Sequence, residues 1–262
     1  MTASLGIVLV HGGAHGAWCW SRTVPHLRSP ALAVDLPPKV VRGAPAAEIP
    51  PGIARIGLDD FASSALADVD AAGFGRFVLV GHSMGGLTIA EIARRVPERV
   101  AHLIFVSCLI PPEAGSMIDA LPEEVREMTR AAVARACAGD LAALGVGMDE
   151  DLSRHMFCND MDPDQARFVL EHCGAEAPSV FTTTVCRRGI PSTLPKTYLR
   201  LLRDQALRPE VQDVQIAHLR ESPGGSVDVV EIDAGHDVMV SRPEALADVL
   251  NAIVEGRRPA SA

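Results

Sequence analysis

Phe77-Val78-Leu79-Val80-Gly81-His82-Ser83-Met84-Gly85-Gly86 decides how this chain is read. Four apolar residues, suited to a buried strand, run into a G-x-S-x-G pattern at Gly81–Gly85. Apolar spacing at Leu87, Ile89, Ala90, Ile92 and Ala93 then marks a helix. Strand, sharp turn and helix is the setting in which a serine is held in a strained conformation, its hydroxyl exposed above a parallel sheet. A Cβ at Gly81 or Gly85 would crowd such a turn, which gives both glycines a steric purpose. The five-residue pattern alone is weak, because Gly and Ser are common. A plain glycine-rich turn is the competing reading, and the flanking strand and helix favour a nucleophile at Ser83.

The segments on either side extend the pattern. Ile7–Val10 reads as a buried strand, followed by the glycine-rich turn His11-Gly12-Gly13-Ala14-His15-Gly16. A short helix is expected within Trp18–Leu27, a second strand at Ala31–Leu36, and an irregular Pro- and Gly-rich surface loop at Lys39–Leu58. Asp59–Ala71 has helical spacing with Asp59 or Asp60 near its cap, and Val100–Val106 reads as another strand. Strands alternating with helices imply right-handed crossovers and a parallel sheet. From Pro111 to Pro195 the alternation stops, leaving helical stretches such as Glu123–Ala136 and Asp164–Cys173 and no convincing strand. It resumes with a strand at Lys196–Leu202, a helix near Glu210–Leu219, a strand at Val227–Ile232 and a helix at Pro243–Val254. The expected organisation is a core of residues 1–110 and 196–262 with a helical cap, 111–195, inserted in it.

Composition narrows the function classes. The 262 residues suit one large α/β domain, and the 48% hydrophobic content, mostly Leu, Val, Ile and Ala, suits buried parallel strands. The net charge is −9 and no basic block is present, which argues against a nucleic-acid partner. Met1–Ser4 carries no basic residue and no apolar run reaches membrane-spanning length, so a cytoplasmic protein without a membrane partner is expected. Six scattered cysteines read as reduced thiols. His155-x-x-Cys158 and His172-Cys173 lack the paired spacing of metal sites, so neither metal nor cofactor is expected. A homodimer is left open.

A serine hydroxyl needs a base, and the base needs an orienting carboxylate. Both should follow the serine in the chain, on loops at the ends of later strands. His236 fits: Asp233-Ala234-Gly235-His236 follows the Val227–Ile232 strand and precedes the last helix. Asp204, just past the Lys196–Leu202 strand, is the preferred acid. Asp228 lies inside a strand, Asp233 is too close to turn back onto His236, and the position after Val106 holds Ser107-Cys108 rather than an acid. Backbone N–H groups of Met84, after the nucleophile, and Gly13, in the first loop, are the expected oxyanion donors.

With these residues assembled, Val8–Trp20, Asp35-Leu36-Pro37, Gly81–Gly86 and Gly235-His236-Asp237-Val238-Met239 with Pro243 resemble the hydroxynitrile lyase and plant methylesterase branch of the α/β-hydrolases. The resemblance covers most of the chain. It implies an α/β-hydrolase fold, a mostly parallel sheet with flanking helices and a helical cap insertion, lacking the first two strands of an eight-strand core. Asp204 falls where that branch carries its acid. The lyases carry a threonine after the first-loop histidine and a lysine after the catalytic histidine. Gly12 and Asp237 stand there instead, and a carboxylate would oppose departing cyanide. The esterase side is favoured, with a small-molecule ester as substrate. Gly12, Asp237, Met156, Phe157 and Phe181 are the candidate pocket residues, and cap residues Met117, Leu121, Met128 and Phe168 add apolar character, although for each apolar cap residue taken singly the cap's own core is the favoured reading. A thioesterase, lactonase or cyclase with the same triad, or a receptor that kept the pocket, are the alternatives.

Overall fold

Alternate residues of a strand face opposite sides, and here both sides are apolar. Val8, Val10, Leu79, Phe105 and Tyr198 enter one core, while Ile7, Leu9, Val78, Val80, Ile104 and Leu199 enter another. A sheet buried on both faces is the natural outcome, and each fully buried Leu or Phe contributes about 2 kcal/mol. The computed structural model describes residues 5–38, 52–140, 150–174, 176–222, 226–257 and 259. Its strands are β1 (Gly6–Val10), β2 (Ala31–Val34), β3 (Phe77–His82), β4 (Val100–Val106), β5 (Lys196–Leu201) and β6 (Asp228–Ile232). They form one sheet in the order β2-β1-β3-β4-β5-β6, with every neighbouring pair parallel.

This order reverses between β1 and β3. Loops leaving the carboxyl ends of the strands diverge at such a point and open a crevice. The turn after β3 and the glycine-rich loop after β1 flank it. Helix α1 (Leu58–Ala71) leads into β3 and is held at its start by the Gly57 N–H donating to the Asp60 carboxylate (2.9 Å). Helix α2 (Gly85–Arg95) leaves the turn with its apolar residues buried.

Between β4 and β5 the described residues form helices α3 (Met117–Ala120), α4 (Glu123–Cys137), α5 (Glu150–Phe157) and α6 (Pro163–His172). Asp162 opens α6 by accepting from the N–H groups of Asp164 (2.9 Å) and Gln165 (2.8 Å), with Pro163 at the first helical position. Then come α7 (Pro209–Arg220), α8 (Val238–Ser241) and α9 (Pro243–Val254). Among the described residues no helix is long and apolar enough to cross a membrane.

Two local expectations change. The short helix expected within Trp18–Leu27 is two separate 3-10 turns, Ala17–Trp20 and Val24–His26, the second with Pro25 in its first turn. The expected Lys39–Leu58 loop lies partly outside the described residues. Its last part is not irregular, because Ile53–Arg55 forms a 3-10 turn and Leu58 already begins α1.

Candidate active site

The turn at Ser83 is built by close approach. A Cβ on Gly81 would lie 2.9 Å from the Gly85 backbone, and one on Gly85 would lie 2.6 Å from the His11 carbonyl oxygen. Ser83 itself takes φ 51°, a left-handed conformation costly for a residue with a side chain. Its backbone is pinned in that state: its N–H donates to Val106 O (3.1 Å), and its carbonyl accepts from Gly86 (3.1 Å) and Leu109 (3.2 Å). Ser83 is half-buried between buried His82 and Met84.

Adjacent strands bring the acid and the imidazole together. β5 pairs with β6 up to Leu201 and Ile232, and Arg203 N–H donates to Ala234 O (3.0 Å) beyond the strand ends. Asp204 is fully buried. Its Oδ1 accepts from the N–H groups of Ala206 and Leu207 (2.8 Å each), and its Oδ2 from Ser107 Oγ–H and His236 Nδ1–H (2.6 Å each). Buried Gln212 fixes this loop through bonds to both backbone groups of Leu201 and to Leu207 O. Because Nδ1 of His236 is the donor, Nε2 carries the lone pair. Burial pulls the His236 pKa down, but the charge and hydrogen bond of Asp204 outweigh it, and the net shift is upward.

His82 joins the serine turn to this pair. Its Nε2–H donates to the His236 carbonyl (3.1 Å), and the two rings lie 4.5 Å apart. Burial, then the neighbouring His236 and His15, push its pKa well below the usual value, so His82 is neutral. Among the described residues Ser83 Oγ makes no protein hydrogen bond, so the direct links are Asp204 to His236 and His236 to the residue before the serine.

Gly12 and Gly13 lie against the turn. A Cβ on Gly12 would stand 2.8 Å from Ser83 Cβ, and one on Gly13 3.6 Å from Met84 Cε. Gly12 thus packs closely against the serine. Among the described residues neither the Gly13 nor the Met84 N–H donates to a protein acceptor, and the two loops that carry them are in contact.

Asp237, a pocket candidate in the sequence, is held inside the protein by His15. Its side chain is fully buried and accepts from His15 Nε2–H at 2.7 Å, while His15 Nδ1–H donates to Gly13 O at 2.7 Å. With acceptors at both nitrogens, His15 carries two protons and is a cation. Burial opposes that charge, Asp237 outweighs burial, and the net pKa shift is upward. The His15 ring stacks on Trp18 with centroids 5.2 Å apart, which favours a cation further.

The other pocket candidates separate. Phe157 is buried against His15 (5.2 Å) and His236 (5.8 Å). Met156 is half-buried on the same core, whereas Phe181 packs on the opposite one. Met117 is buried, but Met128 is 69% exposed. Asn159 and Asp160, which sequence reasoning passed over, clasp the loops of the acid and the imidazole. Asn159 Nδ2–H donates to Arg203 O (2.8 Å), and Asp160 Oδ2 accepts from Gly235 N–H (2.8 Å). Ser107, read as an empty acid position, is a donor to the acid. Its signal was available: a small polar residue at the end of the strand beside the serine strand. Among the described residues, the group placed to share a metal ion is His82, His236 and Asp237, with donor atoms within 4.8 Å. Each makes a hydrogen bond to a different partner, His82 to the His236 carbonyl, His236 to Asp204 and Asp237 to His15. His155 is exposed and Cys158 and Cys173 are core residues, so that cluster does not assemble.

Residues 7–249 match the model of the alpha/beta hydrolase family. Among similar proteins, an esterase of Oryza sativa subsp. japonica, PIR7B, is 28% identical over 93% of each chain. A carbendazim hydrolyzing esterase of a Nocardioides species is 25% identical over 94% of this chain and 98% of its own. An extracellular alpha/beta-hydrolase from a Paenibacillus species superposes with a TM-score of 0.75 at 20% identity, covering 97% of this chain and 100% of the other.

Proposed function

The chain belongs to the alpha/beta hydrolase family, and from that premise we propose that it is a serine hydrolase that cleaves carboxylic esters through an acyl-enzyme. The observation that carries the reading is the Asp204–His236 pair, 2.6 Å long, which leaves Nε2 as an acceptor, in a fold whose strand–turn–helix holds Ser83 at φ 51°. In the first half-reaction Ser83 Oγ attacks the ester carbonyl carbon as Nε2 takes its proton. Asp204 keeps the ring oriented and stabilises the imidazolium. The Gly13 and Met84 N–H groups receive the oxyanion. The tetrahedral intermediate collapses by breaking the bond to the alcohol oxygen, which leaves with the proton from Nε2. Water, deprotonated by the same nitrogen, then releases the acid. The serine–histidine contact tightens when substrate binds, as such contacts commonly do.

Phe157 supports an apolar group next to His236, and residues 111–195 act as the cap that shapes the pocket. No step calls for a metal or cofactor. Cyanohydrin cleavage is disfavoured, since the residue after His236 is a carboxylate locked to His15 and supplies no cation. The named esterases among the relatives support a small-molecule ester as substrate. Six cysteines outside any disulfide favour a cytoplasmic location. A fluorophosphonate probe tests the reaction class: the native protein should be labelled and Ser83→Ala should not. Equal labelling of the two would remove Ser83 from the mechanism.

A further inference from the structure

Glu176 is a buried carboxyl group that the proposed mechanism does not use. It sits between α6 and β5 in sequence, yet it reaches the loop after β1. Its Oε2 accepts from the Ala14 N–H (3.1 Å) and its Oε1 from the Ala177 N–H (2.7 Å). Gly174 N–H donates to Ala14 O (2.8 Å) and ties the same segment to the same loop. A Cβ on Gly13 would lie 3.3 Å from Glu176 Oε2 and 3.6 Å from Met84 Cε. The carboxyl group therefore stands in one layer with the two residues assigned to the oxyanion.

We propose that Glu176 is a specificity-determining residue that makes the site sort esters by charge, accepting neutral acyl groups and rejecting those that carry a carboxylate near the scissile carbonyl. The inference rests on the ester-hydrolase reading. Its physical basis is a like-charge repulsion in a place with little water to screen it. The charged group that faces Glu176 is His15, from the loop after β1. The serine turn presents the apolar Met84 side chain to the same Gly13 position. Burial pushes the Glu176 pKa up to about 7, against the lowering effect of its two N–H donors and of His15. Discrimination should thus be weak when Glu176 is protonated and strong when it is ionised.

The test compares phenyl butyrate with monophenyl succinate, which differ chiefly by a terminal carboxylate. The ratio of their kcat/KM values cancels the titration of His236, common to both. In the native protein the ratio should rise by about tenfold or more between pH 5.5 and 8.5, the scale of two like charges within about 10 Å at an effective dielectric of about 20. In Glu176→Gln it should stay flat. A residue that merely anchors the segment would change both esters equally, and a flat native ratio would overturn the proposal without any variant. Binding of phenylacetamide and phenylacetate, followed by tryptophan fluorescence, gives the same ratio without turnover. If neither ester is hydrolysed, the ester reading fails while the binding ratio still decides the role of Glu176.

Discussion

Two buried aspartate–histidine pairs lie at the carboxyl edge of this sheet, and they differ in use. Asp204–His236 and Asp237–His15 are of similar length, 2.6 and 2.7 Å, and in both the carboxylate raises the imidazole against the pull of burial. What separates them is the second ring nitrogen. In His236 it is left as an acceptor, and the residue can take and return a proton. In His15 it donates to Gly13 O, so both ring nitrogens face acceptors and the residue ties the loop after β1 to Asp237. The carboxylates differ too: Asp204 receives four donors, while Asp237 Oδ1 has no hydrogen-bond partner among the described residues. A carboxylate partner therefore does not make a histidine a base. The group on its far side does.

Breaking the first pair should have the largest effect. Asp204→Asn should keep the fold and lower kcat by about ten-thousand-fold, since the ring loses its orienting partner. The Asp204 charge also holds the His236 pKa up, so the limb over which kcat/KM rises with pH should move to lower pH in the variant. Steady-state kinetics across pH 5 to 9 would show both, and a loss under tenfold would put the acid elsewhere.

Breaking the second pair should be milder in rate and clearer in stability. Asp237→Asn should reduce kcat by about tenfold through a loosened oxyanion loop and cost about 3 kcal/mol, read from urea unfolding. The sign with pH is fixed by the raised pKa of His15. The pair stabilises fully below the unfolded value of about 6.5 and fades as pH rises through the folded one. The stability gap between native protein and variant should accordingly narrow in alkali; a gap that widened would mean that His15 is neutral.

The smallest effect should come from the third carboxylate of the neighbourhood. Asp233 is 64% exposed and pairs with Arg203 at 3.0 Å. Asp233→Asn should leave stability within about 0.5 kcal/mol and kcat within about twofold. A larger kinetic loss would blur the distinction between the buried pairs and the surface.

Features that depend on local chain geometry were legible in the sequence. The strand runs carry aliphatic residues on both faces, the serine turn needs its glycines, and Asp204 and His236 each follow a strand by a few residues. Long-range pairings were hidden. Ser107 looked like a vacant acid position because its role is to donate to a group 97 residues away. His15 lay inside a glycine-rich turn, and its partner Asp237 is 222 residues distant. Reading Asp237 into the pocket assumed that it shares the surroundings of His236. The two side chains instead diverge to different partners, His236 to Asp204 and Asp237 to His15. Glu176 gave no signal, since one acidic residue in an irregular stretch looks like any other.

The clasp at Asn159 and Asp160 bears on how such an enzyme could be re-engineered. Those two residues lie between α5 and α6, yet they grip the backbone at Arg203 and Gly235, next to Asp204 and His236. A side chain at Gly235 would meet them at 2.5 Å, so the surfaces are fitted to each other. Exchanging residues 111–195 for the corresponding piece of another protein would therefore not be a change of substrate preference alone. The graft would have to bring its own counterpart of this dipeptide, or the loops that carry Asp204 and His236 would lose their outer support.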